Sequence, residues 1–297
     1  MQIKTAKRAG FCFGVKRAVD LAFDAAGQGK KVFTLGPIIH NPQVIETLRA
    51  EGVVPTDSIH TKEIKTLIIR THGIPQDISR ALGEKPYAVV DATCPFVKKA
   101  QQYAKLLKED GYQVVIIGDK EHPEVKGLIS YAGDDAVVIN KNDPIPTLKS
   151  KVGVIVQTTQ PVALLKRVLN DLLEHVKEIK VFNTICNSTA LRLKETEDLA
   201  KRVDVMMVVG GKNSANTTQL ANLCVARGVP THHIETAAEI EDAWFSGAKT
   251  VGITAGASTP DWIIKEVEER IRDNRGGRAR NGHSNERRNK RARKTVR

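Results

Sequence analysis

Three of the four cysteines of this 297-residue chain recur at equivalent positions. Cys12, Cys94 and Cys186 each follow an extended stretch and precede a segment in which apolar residues have helical spacing. A strand-like run comes later in each unit and ends in a glycine 24 residues after the cysteine. These glycines are Gly36, Gly118 and Gly210. The matched offsets indicate three repeats of one structural unit.

Three equivalent thiols predict a metal site. The cysteines are too sparse for a disulfide scaffold, and such thiols are more often metal ligands or nucleophiles. Three thiolates suit either a zinc ion with an open fourth position or a 4Fe-4S cluster with one iron left for substrate. The spacing leaves both alternatives open. Cys224 has no equivalent in the repeat and, between Leu223 and Val225, is predicted to be a core residue.

Polar residues follow the strand-like runs of all three units. His40, His122 and Ser214 lie 28 residues after the respective cysteines. The next strand of each unit ends in further polar or small residues, which are Thr71-His72-Gly73, Gln157-Thr158-Thr159 and Thr254 to Ser258. Ligands of parallel α/β sheets bind at the carboxyl ends of strands, beside helix N-termini. We therefore expect these residues to surround the point on which the three thiolates converge.

Strand-like runs rich in Val and Ile alternate with helical segments, which predicts an α/β fold with parallel sheets. The repeat predicts three pseudo-threefold-related α/β modules, a trefoil around a central metal cluster. Module 1 spans 13–94, module 2 spans 95–183 and module 3 spans 184–273. The N-terminal strand, within 1–12, is expected to complete module 3. It fills the place before Cys12 that the other two cysteines fill with the strands preceding them.

The net charge of +12 is concentrated at the C-terminus. Residues 275–297 contain ten Lys or Arg and one acid, which leaves a nearly balanced +3 for the preceding body. Residues 274–297 are therefore predicted to form a disordered basic tail that could bind polyanions weakly. Aromatics are 4% of the chain, which argues against a nucleic-acid site in the body. The start lacks a secretory signal and no apolar run could span a bilayer, so we expect a cytoplasmic protein without a membrane partner.

Short motifs along almost the whole body follow the order of a known family. They are GFCFGV, IHNPQV, THGIP, DATCPFV, HPEVKG, QTT, NTIC, GGKNSANT and TAGAST. On these motifs the chain resembles the 4-hydroxy-3-methylbut-2-enyl diphosphate reductases, the LytB or IspH family. The resemblance implies an oxidoreductase of the last step of the methylerythritol phosphate pathway of isoprene biosynthesis. Such an enzyme converts its substrate to isopentenyl and dimethylallyl diphosphate.

The resemblance also implies roles for individual residues. One 4Fe-4S cluster would be held by Cys12, Cys94 and Cys186, with the substrate hydroxyl on the fourth iron. The diphosphate pocket would consist of His40, His72, His122, Ser214, Asn216 and Ser258. The expected catalytic residues are Glu124, Thr158 and His122, with Glu124 and Thr158 near the reacting carbon and Thr158 also contacting substrate. An electron donor of the ferredoxin or flavodoxin type is the expected partner.

The residue types suit this chemistry in their own right. Replacing an allylic hydroxyl by hydrogen takes two electrons and two protons, and no side chain supplies such electrons, so a redox cofactor is required. Hydroxide leaves poorly, and Glu124, after His122-Pro123 at a predicted helix start, is the best-placed acid. A first-turn acid favoured by the helix dipole is the alternative interpretation of Glu124. Ser214 and Asn216 at a helix N-terminus suit a diphosphate.

Two residues depart from the family pattern. Ala215 stands where a second serine is common, and Thr71 stands where Ala or Ser is common before the His-Gly pair. Neither is a cluster ligand, so they bear on affinity more than on activity. The remaining histidines are predicted to be structural or surface residues, namely His60, His175, His232, His233 and His283.

Three other functions stay open from the sequence. Another three-cysteine cluster enzyme, such as a quinolinate synthase-like dehydratase, would use the open iron as a Lewis acid without net redox. A zinc-dependent hydrolase would use the same three thiolates. An RNA-binding protein would use the basic tail. A substrate assay distinguishes the dehydratase from the reductase. Analysis of iron and acid-labile sulfide distinguishes the zinc hydrolase from a cluster enzyme.

Overall fold

The computed structural model of the protein describes residues 1–27, 31–39, 41–61 and 63–273, without the side chain of Ala215. His40 and the tail at 274–297, both given roles above, lie outside the described residues. The strands are β1 (Gln2–Thr5), β2 (Val32–Leu35), β3 (Val53–Thr56), β4 (Thr66–Ile69), β5 (Ala88–Asp91), β6 (Gln113–Ile117), β7 (Val137–Ile139), β8 (Lys151–Val156), β9 (Glu178–Val181), β10 (Val205–Val209), β11 (Thr231–Ile234) and β12 (Thr250–Ala255). The helices are α1 (Phe13–Ala26), α2 (Pro42–Ala50), α3 (Gln76–Gly83), α4 (Pro95–Glu109), α5 (Pro123–Ala132), α6 (Val162–Leu173), α7 (Asn187–Ala200), α8 (Ala215–Ala226) and α9 (Asp261–Asp273).

The described strands form three four-stranded sheets, each with parallel pairing throughout. Their orders are β3-β2-β4-β5, β7-β6-β8-β9 and β11-β10-β12-β1. In the third sheet, β1 takes the position that β5 and β9 hold in the other two, and it pairs with β12 from Gln2↔Thr250 to Thr5↔Ile253. The prediction of three α/β modules with parallel sheets is confirmed.

The sheets differ from the sequence prediction in one respect. Three strands per module were expected, and each sheet has four, because β3, β7 and β11 were not anticipated. All three are edge strands of three or four residues. Pro55 lies within β3, and His232 and His233 lie within β11, so neither has the Val- and Ile-rich signature that marks the central strands.

The central strands are covered on both faces, which explains their unbroken apolar runs. In β6, Val115 and Ile117 contact an apolar cluster that includes α6, whereas Val114 and Ile116 contact another that includes α4 and α5. β10 is buried along its whole length in the same manner, between clusters that include α9 on one face and α8 on the other. Each such fully buried Val or Ile contributes roughly 1.5–3 kcal/mol to folding. The rigid sheets thereby fix the strand ends that carry the polar residues.

The chain divides into two compact units. The first consists of Met1–Lys16, Ile39–Glu46 and the described chain from Ser188 onward, and it contains the sheet with β1. The second consists of Arg17–Ile38 and Thr47–Asn187, and it contains the other two sheets. The module boundaries given above stay predictions. Within the described residues, no helix has both the length and the apolar character needed to cross a membrane.

Candidate active site

The backbone holds all three repeat cysteines in the same way. Each follows one of the equivalent edge strands β5, β9 and β1 and directly precedes a helix. Its N–H donates to the carbonyl of the second residue after the neighbouring strand. These bonds join Cys94 to Thr71 at 2.9 Å, Cys186 to Thr158 at 2.8 Å and Cys12 to Ala257 at 3.2 Å. Pro95 begins α4, as its fixed φ favours. The shared bond gives the sequence repeat a physical basis.

The thiols themselves fall into two classes. Cys12, Cys94 and Cys186 are partly exposed at the ends of sheets, whereas Cys224 is fully buried in the apolar cluster with α8. Burial raises the pKa of the Cys224 thiol to about 11, so it stays protonated and inert. The core role predicted for Cys224 is confirmed. The donor set of the other three fits an iron–sulfur cluster, since thiolates are the ligands that such clusters use.

The three-thiolate site as a whole stays a prediction. Among the described residues, no three or more His, Cys, Asp and Glu side chains are grouped so as to hold a metal ion.

The glycines of the repeat also share one backbone contact. Each donates its N–H to the last residue of the edge strand beside it, in the pairs Gly36 to Thr56, Gly118 to Ile139 and Gly210 to Ile234, at 2.8–3.0 Å. At Gly210 the backbone has φ +139°, and a Cβ atom would lie 2.5 Å from Thr259 Oγ1. A side chain there would be strained and would displace Thr259. The glycine therefore allows a tight exit from β10 toward α8.

In the second unit, Glu124 is a buried acid with a dedicated partner. Its side chain is on the first turn of α5 and the residue is only 1% exposed. Thr158 donates twice to the carboxyl, from its N–H to Oε1 at 2.7 Å and from its hydroxyl to Oε2 at 2.8 Å. Because the Thr158 carbonyl also accepts the N–H of Cys186, one residue is bonded both to the acid and to the backbone of a repeat cysteine. A surface acid stabilising a helix start would not be buried in this way.

Burial raises the pKa of Glu124 from 4.5 to about 7, although the bonds from Thr158 act in the opposite direction. The carboxyl is thus half protonated near neutral pH and can deliver a proton there.

The raised pKa predicts a pH-dependent stability. Between about pH 4.5 and 7 the folded chain binds one more proton at Glu124 than the unfolded chain, so the free energy of unfolding falls as the pH rises through this range. Between pH 5 and pH 8, ionisation of this carboxyl should lower the free energy of unfolding by about 2–3 kcal/mol. Glu124→Gln cannot titrate at this position. The free energy of unfolding of the variant, taken relative to that of wild type, should therefore be higher at pH 8 than at pH 5. Denaturant unfolding at both pH values measures it, and an unchanged difference would show that the pKa is ordinary.

Two histidines lie together beside this acid. His122 caps α5, and its Nδ1 accepts the N–H of Glu124 at 3.2 Å. In the neutral ring the proton is therefore on Nε2, which is a donor. The ring of His72, after β4, meets that of His122 edge to face with centroids 5.3 Å apart. The second unit thus brings together His72, His122, Glu124 and Thr158 of the predicted residues.

The loop carrying His122 is held by Gln157, which was expected at this strand end but had no individual role from the sequence. Gln157 is buried, and its Oε1 accepts the N–H of Asp119 at 3.0 Å. Asp119 in turn accepts the N–H groups of Glu121 and His122. The signal for Gln157 was its place directly before Thr158, at the end of a buried strand.

The departure at Thr71 has a structural explanation. Thr71 is buried, and its hydroxyl donates to the carbonyl of Ile38 at 3.1 Å. The bulkier residue therefore joins the loop after β4, which carries His72, to the loop after β2. A serine could also make this bond, whereas an alanine could not.

In the first unit, the start of α8 presents polar groups. Ser214 is the N-cap, and its hydroxyl accepts the N–H of Thr217 at 3.4 Å. Both amide atoms of Asn216 are buried, and neither has a hydrogen-bond partner among the described atoms. The Thr217 hydroxyl is in the same condition. Since buried polar groups are normally paired, these atoms are candidates for contacts with a ligand.

Ser258, also in the first unit, is positioned by a residue without an assigned role. Ser258 follows β12 and is 9% exposed. The side chain of Asn41 donates to the carbonyl of Ser258 at 2.9 Å while its Oδ1 accepts the N–H of Val44 and so caps α2. Asn41 is buried, and its position before Pro42 was the available signal, since Asn-Pro often begins a helix.

Comparison with known proteins places the chain in a family. The model described as LytB protein matches residues 3–272. A 4-hydroxy-3-methylbut-2-enyl diphosphate reductase of Pelobacter propionicus is 53% identical over 274 residues, which cover 91% of this chain and 98% of the relative. A protein of the same name from Trichlorobacter lovleyi is 50% identical over 273 residues, which cover 91% of this chain and 98% of the relative.

Solved structures agree with this relationship. One is described as (E)-4-hydroxy-3-methyl-but-2-enyl diphosphate reductase, the terminal enzyme of the non-mevalonate pathway. It is 45% identical, with a TM-score of 0.74, and the match covers 92% of this chain and 100% of that chain. A reductase structure from Plasmodium falciparum shares the fold at 24% identity, with a TM-score of 0.79 and 91% and 87% of the two chains covered. This chain belongs to the LytB family.

Proposed function

We propose that this chain reduces 4-hydroxy-3-methylbut-2-enyl diphosphate to isopentenyl and dimethylallyl diphosphate, as the last step of the methylerythritol phosphate pathway. The carbon–oxygen bond of the allylic hydroxyl breaks, two electrons and two protons are consumed, and the oxygen leaves as water. The observation that carries the proposal is the buried Glu124–Thr158 pair, because loss of hydroxide needs a proton donor. The relatives favour this activity over a dehydratase, a zinc hydrolase or an RNA-binding role.

We assign one 4Fe-4S cluster to Cys12, Cys94 and Cys186. When bound, the cluster supplies the electrons and polarises the carbon–oxygen bond as a Lewis acid. The common backbone bond of the three cysteines supports this assignment, because it places three cysteine residues at equivalent strand ends. The electrons would come from a ferredoxin or flavodoxin, and a cytoplasmic location suits sparse, reduced thiols.

The proton passes through Glu124 and Thr158. In its protonated form, Glu124 donates to Thr158 Oγ1, which lies 2.8 Å from Oε2. The threonine hydroxyl is then free to turn its own proton away from the carboxyl and toward the leaving oxygen. A pKa of about 7 matches the acid to neutral pH, which is the condition for efficient general acid catalysis.

The diphosphate is bound by neutral donors and histidines. Ser214 and Asn216 lie at the start of α8, where the helix dipole favours an anion. His72 and His122 add ring donors, with the proton of neutral His122 on Nε2. Ser258 and His40 complete the proposed set. Ala215 leaves out one hydroxyl donor, so Ala215→Ser should tighten binding.

Asn216 provides a specific test of this assignment. Asn216→Ala should weaken the binding of isopentenyl diphosphate about tenfold or more, because each hydrogen-bond donor to a charged phosphate contributes roughly 1.5–3 kcal/mol. The affinity for the corresponding free alcohol should be unchanged. Titration calorimetry on anaerobically purified protein measures both. Asn222→Ala, an exposed residue of the same helix, is the matched control. Equal losses for diphosphate and alcohol would mean that Asn216 serves the fold.

The function itself is tested by an anaerobic assay. Purified protein is supplied with a chemical reductant and 4-hydroxy-3-methylbut-2-enyl diphosphate, and the two products are quantified. Iron and acid-labile sulfide are measured in the same preparation. Turnover with about four irons per chain is the expected result. An active but iron-free protein, or an iron-loaded protein that dehydrates without net reduction, would refute the proposal.

A further inference from the structure

The loop that leads into α8 is braced from the neighbouring edge strand. This loop, Gly210–Ser214, joins β10 to α8, and Asn216 is the second residue of that helix. The ring Nε2 of His233, on β11, lies 2.9 Å from the carbonyl oxygen of Gly210. The carboxylate of Glu235, just after β11, accepts the N–H of Lys212 at 2.7 Å. Two backbone groups of the loop are thus fixed by side chains outside it.

A second carboxylate completes the brace. One carboxylate oxygen of Glu239 accepts a hydrogen bond from the ammonium of Lys212 at 2.8 Å. Its other oxygen accepts the N–H groups of Glu235 and Thr236 at 2.8 and 3.0 Å. Hydrogen bonding to Glu239 raises the pKa of the Lys212 ammonium, with attraction to both carboxylates adding to it. Lys212 therefore offsets the charge of the carboxylates next to a loop that would receive an anion.

Other hydrogen bonds of the loop are those from the Gly210 N–H to the Ile234 carbonyl, from the Ser214 N–H to the Gly211 carbonyl and from the Thr218 hydroxyl to the Lys212 carbonyl. Lys212 and Asn213 are exposed, and Gly210 and Gly211 carry no side chains that could pack. A loop of this composition is costly to order. If the loop is already ordered before the diphosphate binds, the free energy of ordering does not reduce the affinity for the diphosphate.

We propose that Glu235 and His233 are positioning residues for the diphosphate: they hold the Gly210–Ser214 loop so that Ser214 and Asn216 are ready to donate. The proposal rests on the proposed function and deepens it. His233 was assigned to the structural or surface class from the sequence, and its bond to Gly210 gives it a more specific role. The expected defect is in binding, since neither residue would contact the reacting carbon.

Variants of Glu235 separate positioning from general stability. Glu235→Ala removes the acceptor, whereas Glu235→Gln keeps a carbonyl oxygen for the Lys212 N–H. For isopentenyl diphosphate, Glu235→Ala should raise Kd about tenfold, and Glu235→Gln should stay within about threefold of wild type. For the reduction, KM should rise by the same factor in Glu235→Ala while kcat changes less than about twofold. His233→Phe, which keeps a ring but no donor, should also raise Kd.

Asp204 provides the matched control. Its carboxylate also accepts backbone N–H groups, those of Lys249 and Thr250, but at the opposite end of the same sheet. Asp204→Ala should lower the melting temperature by several degrees without changing the Kd for isopentenyl diphosphate. Calorimetry with isopentenyl diphosphate and with inorganic pyrophosphate, together with thermal melts, covers all variants.

The outcomes are distinguishable. An unchanged Kd in Glu235→Ala, an equal loss in Glu235→Gln, or an equal loss in Asp204→Ala would overturn the positioning role. If Glu235→Ala fails to fold, His233→Phe decides by the same Kd. Wild-type protein that binds isopentenyl diphosphate without reducing the substrate would refute the proposed reductase activity. The comparison of Kd values would still decide whether Glu235 and His233 position the loop. Wild-type protein that binds no diphosphate would refute both.

Discussion

Glu124→Gln is expected to slow turnover about 10²- to 10⁴-fold, the range that general acid catalysis usually contributes. Glutamine fits the site, because its carbonyl can accept the N–H of Thr158 and its amide can donate to the Thr158 hydroxyl. The shape and both hydrogen bonds of the pair would survive. Only the transferable proton is lost, so the iron content and the affinity for isopentenyl diphosphate should stay near those of wild type.

The pH profile adds a second measurement for the same variant. Because Glu124 must be protonated to act, wild-type kcat should fall as the pH rises through about 7, and the residual activity of Glu124→Gln should lack that step. Glu121→Gln, an exposed acid paired with Lys126 just before α5, is the control and should behave as wild type. A rate for Glu124→Gln within a few-fold of wild type would return Glu124 to a purely structural role.

Cys12→Ser, Cys94→Ser and Cys186→Ser should each lose the cluster and essentially all turnover. Serine preserves the size of the side chain and the backbone bond that all three cysteines share, so the fold should persist. Its hydroxyl is a harder and much less acidic ligand than a thiol, and iron–sulfur clusters are held by thiolates. Iron, acid-labile sulfide and the visible spectrum of anaerobic preparations give readouts that do not depend on activity.

Cys224→Ser is the matched control for these three variants. It places a hydroxyl in the apolar cluster around α8, which should cost about 1–3 kcal/mol of stability. Iron content and turnover should nevertheless be retained. If any of the three repeat cysteines could be replaced with full activity, or if Cys224→Ser lost the cluster, the assignment of ligands would be wrong.

The parts of the fold that local patterns encode were predictable. β6 and β10 are continuous apolar runs because both of their faces are covered, and the repeat of Cys and Gly located them along the chain. The helix after Cys94 was marked by its apolar spacing, and Pro95 suits its first turn. β7 was missed because three residues are too short to show a pattern, and β11 was missed because its two central residues are histidines.

In the candidate site, too, residue types could be predicted from local patterns, whereas burial and long-range contacts could not. Glu124 could be singled out because its type and place at a helix start suggest an acid, yet its burial depends on packing that no local pattern records. Gln157, Asn41 and Glu235 act through bonds to backbone groups 38, 217 and 23 residues away. A sequence displays such residues only as ordinary polar side chains, so their positioning roles require the folded structure.

The pairing of β1 with β12 has a consequence for how the protein folds. The two strands are joined in register at Gln2↔Thr250, whereas β4 and β5 are joined at Thr66↔Ala88. With loop entropy growing as the logarithm of length, closing the longer connection costs about 2 kcal/mol more. During synthesis β1 leaves the ribosome early but must wait for β12, while the sheets built on β2 and β6 can already assemble. The β1 sheet is then the last to close, and slow refolding phases should report its docking.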